Sequence, residues 1–594
     1  MNTLHRAVAA RLLLALSVVL LAGCGESGGD SNTNPGNPGV ALPPVAPPPA
    51  AGTVPPPPAA GQSRDGMVYD MLLTSPGTGD QVGITVFEPK TVVGGQRYPL
   101  VLQSHGYAGS RESAGSAVIQ PLLDAGYGAI SISERGSDNS TGTIRSMDPD
   151  FEGKNLLAIL DWAESLPWVM FGTGVDGSTN NLVVGAMGSS YGGMFQYLIN
   201  NIDPRHRLDA LTPEIAPADL TYALFPNSTL KAGWGTVLFG AGNTAGDQSK
   251  FNTDPFITNF FVNALTTNTV SDEGREFFYY HSNAYFCNGR DVVNNGTVGG
   301  APGMPGTVAK AERRAVRPVK TNALIFQGMR DTLFPFNSAY ENYLCLKATG
   351  GDVRLLSYQS GHNTLQVIPD PGNHLFENVG GMEAAVNELD SRCGTLDVEA
   401  ARMAFFEQYL KGVPGAADKV IPTKPCLSIT KGDGVLVDQV TVGKAGTEVT
   451  IAATSVVAGV AAPVAIPLGI PRLDGQVVAG IPFAELTVTK ANAALPGEPI
   501  LLLGLGRTRN GVPGVYDLID NQLTPIRGTG SFAVDLVGVA ERLGASDDLY
   551  LLVYGQHDQF HTTGTLNAGS PALVPVSVAG KLWVPVLGNL PSMP

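Results

Sequence analysis

The segment Gly188-Ser189-Ser190-Tyr191-Gly192-Gly193 follows directly on the apolar run 181–187, and it constrains the fold more than any other stretch of the chain. A buried strand that stops at a glycine, turns on a serine and resumes on two glycines describes a strand–turn–helix elbow. Glycine is needed where neighbouring backbone comes too close for a side chain, and the serine at the apex is strained. The register selects Ser190, because Ser189 would need glycine at 187 and 191, where Met and Tyr stand. A second copy of the pattern, Gly25-Glu26-Ser27-Gly28-Gly29, lies in a segment that cannot form a core. Of the two, only the copy at 188–193 has a strand before it and a helix-forming run, 194–199, behind it.

The amino terminus speaks to location. Arg6 and Arg11 precede the apolar run 12–21, which ends in Leu21-Ala22-Gly23-Cys24. A charged start, a short apolar stretch and small residues before a cut describe an export signal over residues 1–23, too short to span a bilayer. Its last four residues resemble the lipobox of bacterial lipoproteins, in which the cysteine becomes the lipidated first residue. That resemblance implies a lipid attached to Cys24 and a membrane anchor in the bacterial cell envelope, at the outer membrane or cell surface rather than free in the periplasm. Residues 24–63 are dominated by Pro, Gly and Ala and read as an extended tether with a reach on the order of 100 Å. Later apolar runs such as 456–468 are too short or broken by proline to cross a membrane.

The formal charge of −15 argues against a nucleic-acid partner and leaves no basic face for anionic lipid headgroups. Beyond Cys24 stand Cys287, Cys345, Cys393 and Cys426, none at metal-ligand spacing. In an oxidising compartment such cysteines form disulfides, and Cys393 with Cys426 is the first expectation, since the two are close in sequence across a domain junction. No His-Glu-x-x-His cluster occurs, so neither a catalytic metal nor a cofactor is expected. The sequence is silent on oligomeric state.

Between residues 65 and 209 apolar extended runs alternate with helical ones. Residues 98–104, 128–133 and 182–186 read as strands, and 112–125 and 155–166 as helices. That alternation predicts a largely parallel sheet covered on both faces, with reacting groups collected at the carboxyl ends of its strands. Two later segments end at such positions. The strand 322–328 runs into Asp331, and after a helix over 337–348 the strand 353–358 leads to His362. The order Ser190, Asp331, His362 is that of an α/β-hydrolase. Competing readings are weaker. Asp352 precedes its strand, and His374 has no strand behind it. His105 precedes the serine and reads as a support for its own loop, and His557 and His561, four apart in a β-rich region, read as surface or satisfied histidines.

The residue types fit one chemistry. A serine hydroxyl becomes nucleophilic when an imidazole takes its proton, and a buried carboxylate fixes the imidazole's tautomer. Negative charge developing on the substrate oxygen needs donors. The backbone N–H of Tyr191 supplies one, and the loop Ser104-His105-Gly106-Tyr107-Ala108-Gly109 supplies a second, through the backbone or the phenol of Tyr107.

Further segments carry a resemblance. These are residues 123–127 followed by Ser133-Glu-Arg-Gly-Ser-Asp-Asn-Ser-Thr-Gly142, then Ile159-Leu-Asp-Trp-Ala-Glu-Ser-Leu-Pro-Trp168, the elbow, Asp331-Thr-Leu-Phe-Pro335, and Gly361-His362. Together they resemble the X-prolyl dipeptidyl-peptidases and cocaine-esterase-like α/β-hydrolases over about residues 65–420. The resemblance implies Ser190 as nucleophile, Asp331 as acid and His362 as base, with a tyrosine hydroxyl, here that of Tyr107, in the oxyanion hole. The chain departs from the family at this loop, which also resembles the backbone-donor loop of cutinase-like esterases, so both modes of donation stand for Tyr107. The expected organisation is a hydrolase core over 64–213 and 318–424, a helical cap inserted at 214–317, and a β-rich, jelly-roll-like sandwich over 425–594. Trp234, Phe277, Phe278, Tyr279 and Tyr280 are candidate walls of the site. The function expected is hydrolysis of a small-molecule carboxylic ester through an acyl-Ser190 intermediate. The alternative is an X-prolyl dipeptidyl aminopeptidase acting on peptides, which needs a cap carboxylate for the substrate ammonium; Asp219, Asp247, Asp254, Asp272, Glu273 and Glu276 are available without a marked pair. A third reading is a non-catalytic surface-binding protein on the same fold.

Overall fold

Short runs of valine, leucine and isoleucine, each closed by a turn or a helix, assemble into a ten-stranded mixed sheet in the computed structural model of the protein. The structure describes residues 52–593 except 245–251, 299–305, 315–318, 363–391, 430–432, 472, 509–510 and 561–572. The signal segment, Cys24, most of the tether, Asp247, His374 and His561 lie outside the described residues.

The strands are β1 (Val68–Thr74), β2 (Gln81–Phe87), β3 (Leu100–Ser104), β4 (Gly128–Ile132), β5 (Val184–Ser189), β6 (Leu208–Glu214), β7 (Ala323–Gly328), β8 (Val353–Tyr358), β9 (Cys426–Ile429) and β10 (Asp433–Leu436). Across the sheet they run β1-β2-β4-β3-β5-β6-β7-β8-β9-β10. From β4 to β9 every neighbouring pair is parallel, and both ends of the sheet are antiparallel. Successive residues serve opposite faces, as a period of two requires. Leu100, Leu102 and Ile325 enter one core, while Val101, Leu324 and Phe326 enter the other. With both faces covered, β3, β4, β7 and β8 are buried at every position.

The helices of the core are α1 (Gln120–Asp124), α2 (Glu152–Ala163) and α3 (Tyr191–Ile202). The first is far shorter than the helix expected over 112–125. Gly115 takes φ 84°, and Ser116 Oγ bonds locally to Glu112 and to the Val118 amide, which diverts the backbone before Pro121 starts the helix. Between β6 and β7 the cap contributes α4 (Leu220–Leu224), α5 (Ala232–Thr244), α6 (Pro255–Thr267), α7 (Asp272–Tyr280) and α8 (Asn283–Asn288). Asp254 and Ser271 accept backbone N–H groups at the starts of α6 and α7. The core then resumes with α9 (Phe336–Lys347) and α10 (Val398–Tyr409).

Cys287 and Cys345 join α8 to α9, and Cys393 pairs with Cys426, as the spacing suggested. The main sheet takes in β9 and β10, so the core continues past the boundary expected at residue 424, and Cys426 opens the edge pair instead of a new domain. Beyond it the chain is β-rich. Thr447–Ala458, Val574–Val584, Phe483–Lys490 and Gly530–Asp535 form one sheet, and Val464–Pro467, Leu549–Tyr554 and Ile500–Thr508 form part of another. Ile451, Leu486 and Val578 of the first meet Leu503, Leu551 and Val553 of the second in a shared apolar core.

Candidate active site

At the end of β5 the chain reverses into α3 through Ser190, whose φ of 58° and ψ of −118° are strained for a residue with a side chain. Its amide donates to Glu214 O at 2.9 Å, and its carbonyl accepts from Gly193 and Met194 at 2.8 and 3.0 Å. The flanking glycines are steric necessities. A β-carbon at Gly192 would lie 2.2 Å from Ser104 O, one at Gly188 2.5 Å from Gly192 O, and one at Gly193 2.6 Å from the Ala216 methyl.

Asp331 follows β7 and His362 follows β8, adjacent strands of the sheet, so the two side chains converge on the elbow. His362 Nε2 lies 2.8 Å from Ser190 Oγ, and Nδ1 lies 2.7 Å from Asp331 Oδ2. The other carboxylate oxygen, Oδ1, accepts the amides of Leu333 and Phe334 at 2.8 Å each. With Oδ1 so occupied, Oδ2 remains for the imidazole, and a neutral ring donates from Nδ1 while Nε2 accepts the serine hydroxyl. All three residues are buried, and the imidazole stands edge-on to Trp234 and Phe334, with ring centres 5.6 and 4.9 Å away.

Tyr191 opens α3, and its N–H is among those a helix leaves without an internal partner. Its phenol reaches the other way, donating to Glu152 Oε1 at 3.3 Å and accepting from the Met147 amide at 3.1 Å. Tyr107 meets Tyr191 edge-on at 5.5 Å, and its hydroxyl makes a long 3.4 Å contact with Thr253 Oγ1 of the cap. Burial pushes the Tyr107 phenol up to about 12, so it stays protonated and able to donate. His105 Nε2 accepts the Glu134 amide at 3.0 Å and Nδ1 donates to Gly106 O at 2.7 Å, while burial lowers its pKa; it is a neutral brace for this loop.

A cavity of about 50 Å³ opens beside Ser190, bounded by Tyr107, Ser146 and Met194 and by Leu224, Ile257 and Phe278 of the cap. Among the described residues lining it there is no charged side chain. Phe277, Tyr279 and Tyr280 are packed in the cap core, away from that wall. Asp219 accepts from Thr221, and Asp254 pairs with Arg145 at 2.9 Å. Asp272 and Glu273 are exposed. Asp352, just before β8, pairs with Arg354 and Tyr409, and His557 accepts from the Gln559 amide. Ser146 and Met147, both at positive φ, Glu152, Lys231 and Gln522 surround the site without having been singled out in the sequence. Single polar residues in loops carry no periodic signal, although Lys231, isolated in an apolar stretch, is the one a reader of the sequence had reason to question.

A family model described as X-Pro dipeptidyl-peptidase (S15 family) matches residues 78–283. No curated protein matches the chain. Among solved structures, a CocE/NonD family hydrolase from Staphylococcus aureus shares 12% sequence identity over 88% of this chain and 94% of its own, with a TM-score of 0.57. An aminopeptidase from the marine sediment archaeon Thaumarchaeota archaeon shares 13% over 88% of this chain and 96% of its own, with a TM-score of 0.56. At such identities the likeness is one of fold. The family match and the shared architecture support a hydrolase of the peptidase or esterase kind, built on the α/β-hydrolase fold with a central mixed sheet and a β-rich carboxyl-terminal region.

Proposed function

We propose that the chain is a serine hydrolase that cleaves a carboxylic ester, and the continuous Ser190–His362–Asp331 hydrogen-bonded chain at a strained elbow carries the proposal. Ser190 Oγ attacks the ester carbonyl carbon while its proton passes to His362 Nε2. The carbonyl oxygen takes the electron pair and faces the Tyr191 N–H and the Tyr107 phenol. Collapse of that intermediate expels the alcohol, which takes the proton back from His362, and leaves an acyl ester on Ser190. Water, deprotonated by the same imidazole, repeats the sequence and releases the acid. Asp331 stabilises the imidazolium at both stages.

The apolar cavity favours an uncharged acyl or alkyl group over a free ammonium, which would need a carboxylate there. The prolyl-peptidase reading draws its support from the family match over residues 78–283. p-Nitrophenyl butyrate and glycyl-prolyl-p-nitroanilide separate the two: ester turnover with an initial burst, lost in Ser190→Ala, is expected, and preference for the anilide overturns the ranking. Equal rates in wild type and Ser190→Ala would leave a binding protein on this fold. From the sequence alone we also infer a lipid on Cys24, an expectation checked by fatty-acid labelling that disappears in Cys24→Ala.

A further inference from the structure

The turn that carries Asp331 is gripped from three directions. From within the core, Gln327 Nε2 donates to Gly328 O and Phe334 O at 3.0 and 2.8 Å. From the cap, Lys231 Nζ donates to Thr332 O and Leu333 O at 2.8 and 2.9 Å, and Trp234 Nε1 to Thr332 Oγ1 at 3.0 Å. From the β-rich region, Gln522 Nε2 donates to Met329 O and Asp331 O at 2.8 and 3.0 Å. The carbonyls on both sides of the triad carboxylate are thus fixed by side chains that belong to other parts of the chain.

Lys231 and Gln522 are placed at a cost. Lys231 is 4% exposed, and burial lowers its ammonium to about 7, so the position is expensive for a lysine that merely fills space. Gln522 is 3% exposed and follows Asp520 and Asn521, two consecutive residues at positive φ. That strained pair is itself pinned, Asp520 Oδ2 accepting the Ala540 amide at 2.8 Å and Asn521 O accepting Gln559 Nε2 at 3.3 Å. A strained turn held on both sides, presenting one amide to the backbone of Asp331, is what accurate placement of that backbone requires.

We propose that Gln522 and Lys231 are positioning residues that hold the Asp331 turn in register with His362, so that the hydrolytic site is complete only when core, cap and β-rich region are assembled. Gln522 acts on the main chain of Asp331 and the next residue but one before it, and Lys231 on the two residues after it. Together they fix the direction of Oδ2, which the amides of Leu333 and Phe334 alone leave free to rock about Oδ1. The proposal rests on the triad reading given above, and its test separates the two.

The full-length chain is compared with Gln522→Leu, Lys231→Met and the double variant, which keep side-chain volume while removing the donors. Turnover of p-nitrophenyl butyrate is normalised to sites titrated with a fluorophosphonate, and hydrogen–deuterium exchange is followed in the segment 329–334. Each single variant is expected to lower kcat by about 10- to 100-fold, with KM changed less than about threefold, as a misplaced catalytic group does. The titratable fraction stays at the wild-type level, the Leu333 and Phe334 amides exchange faster, and the double variant falls short of the product of the singles because both act on one turn. Unchanged kcat in both single variants overturns the proposal. So does a loss explained by fewer titratable sites with normal kcat per site, which marks a purely structural role. Should wild type show no Ser190-dependent turnover, the triad reading falls, and the exchange measurement still decides the clamp: unaltered protection at 329–334 in both variants overturns it.

Discussion

At Gly192 a β-carbon would stand 2.2 Å from the Ser104 carbonyl oxygen, and that oxygen belongs to a central strand that cannot retreat. Gly192→Ala must therefore move the elbow itself. A shift of about 1 Å in Ser190 is expected to lower kcat by about 100-fold or more while circular dichroism stays unchanged. The oxyanion role proposed for Tyr107 is open to an equally local test. The Tyr107 phenol is protonated and borders the Ser190 cavity, and its bond to Thr253 is long, so it can turn toward a substrate oxygen. Tyr107→Phe is expected to lower kcat by about 10²- to 10³-fold with little change in KM; a loss under about twofold would assign the role to the backbone instead.

Among the elements, the cap is joined to the core through a buried cation. The Arg145 guanidinium, fully buried, donates to Asp148, Asp254 and the carbonyl of Asn295, while its amide donates to Glu152, which also accepts the Tyr191 phenol. Arg145→Met removes the guanidinium that pairs with the buried carboxylates of Asp148 and Asp254 and is expected to destabilise the protein by about 3–5 kcal/mol. Chemical denaturation followed by tryptophan fluorescence, with Trp234 reporting on the cap, measures it. Little of this was legible in the sequence. The elbow, the strands ending at Asp331 and near His362, and the Cys393–Cys426 pair were readable because each depends on neighbours along the chain or on strand-end placement. The unravelled stretch before α1 was missed because a serine's local bonds outweighed a helical pattern. The edge pair β9–β10 was missed because its alignment against β8 is a long-range event with no local mark. Gln522 was missed for the same reason, and Lys231 because a lone lysine in an apolar stretch does not name its partner.

For the whole molecule, buried carboxyls set the response to pH. Burial raises Glu134 to about 8 and Asp209 and Asp520 to about 7. The folded protein keeps protons on these groups that the unfolded chain releases near pH 4, so their stabilising contribution is full below that pH and is lost as pH rises toward 8. In Glu134→Gln that decline is expected to be shallower, as urea unfolding at pH 5 and pH 8 would measure; parallel slopes in variant and wild type would refute it. The contact of Gln522 with Asp331 also has a consequence in time. The two residues are separated by 191 positions, and the donor is made last. At bacterial and eukaryotic elongation rates the interval is roughly 10–40 s. Once His362 has been added, 31 residues after Asp331, a nascent chain holds all three residues of the proposed triad, yet the turn bearing Asp331 has not met its amide, so on the proposed reading competence to react arrives late in synthesis.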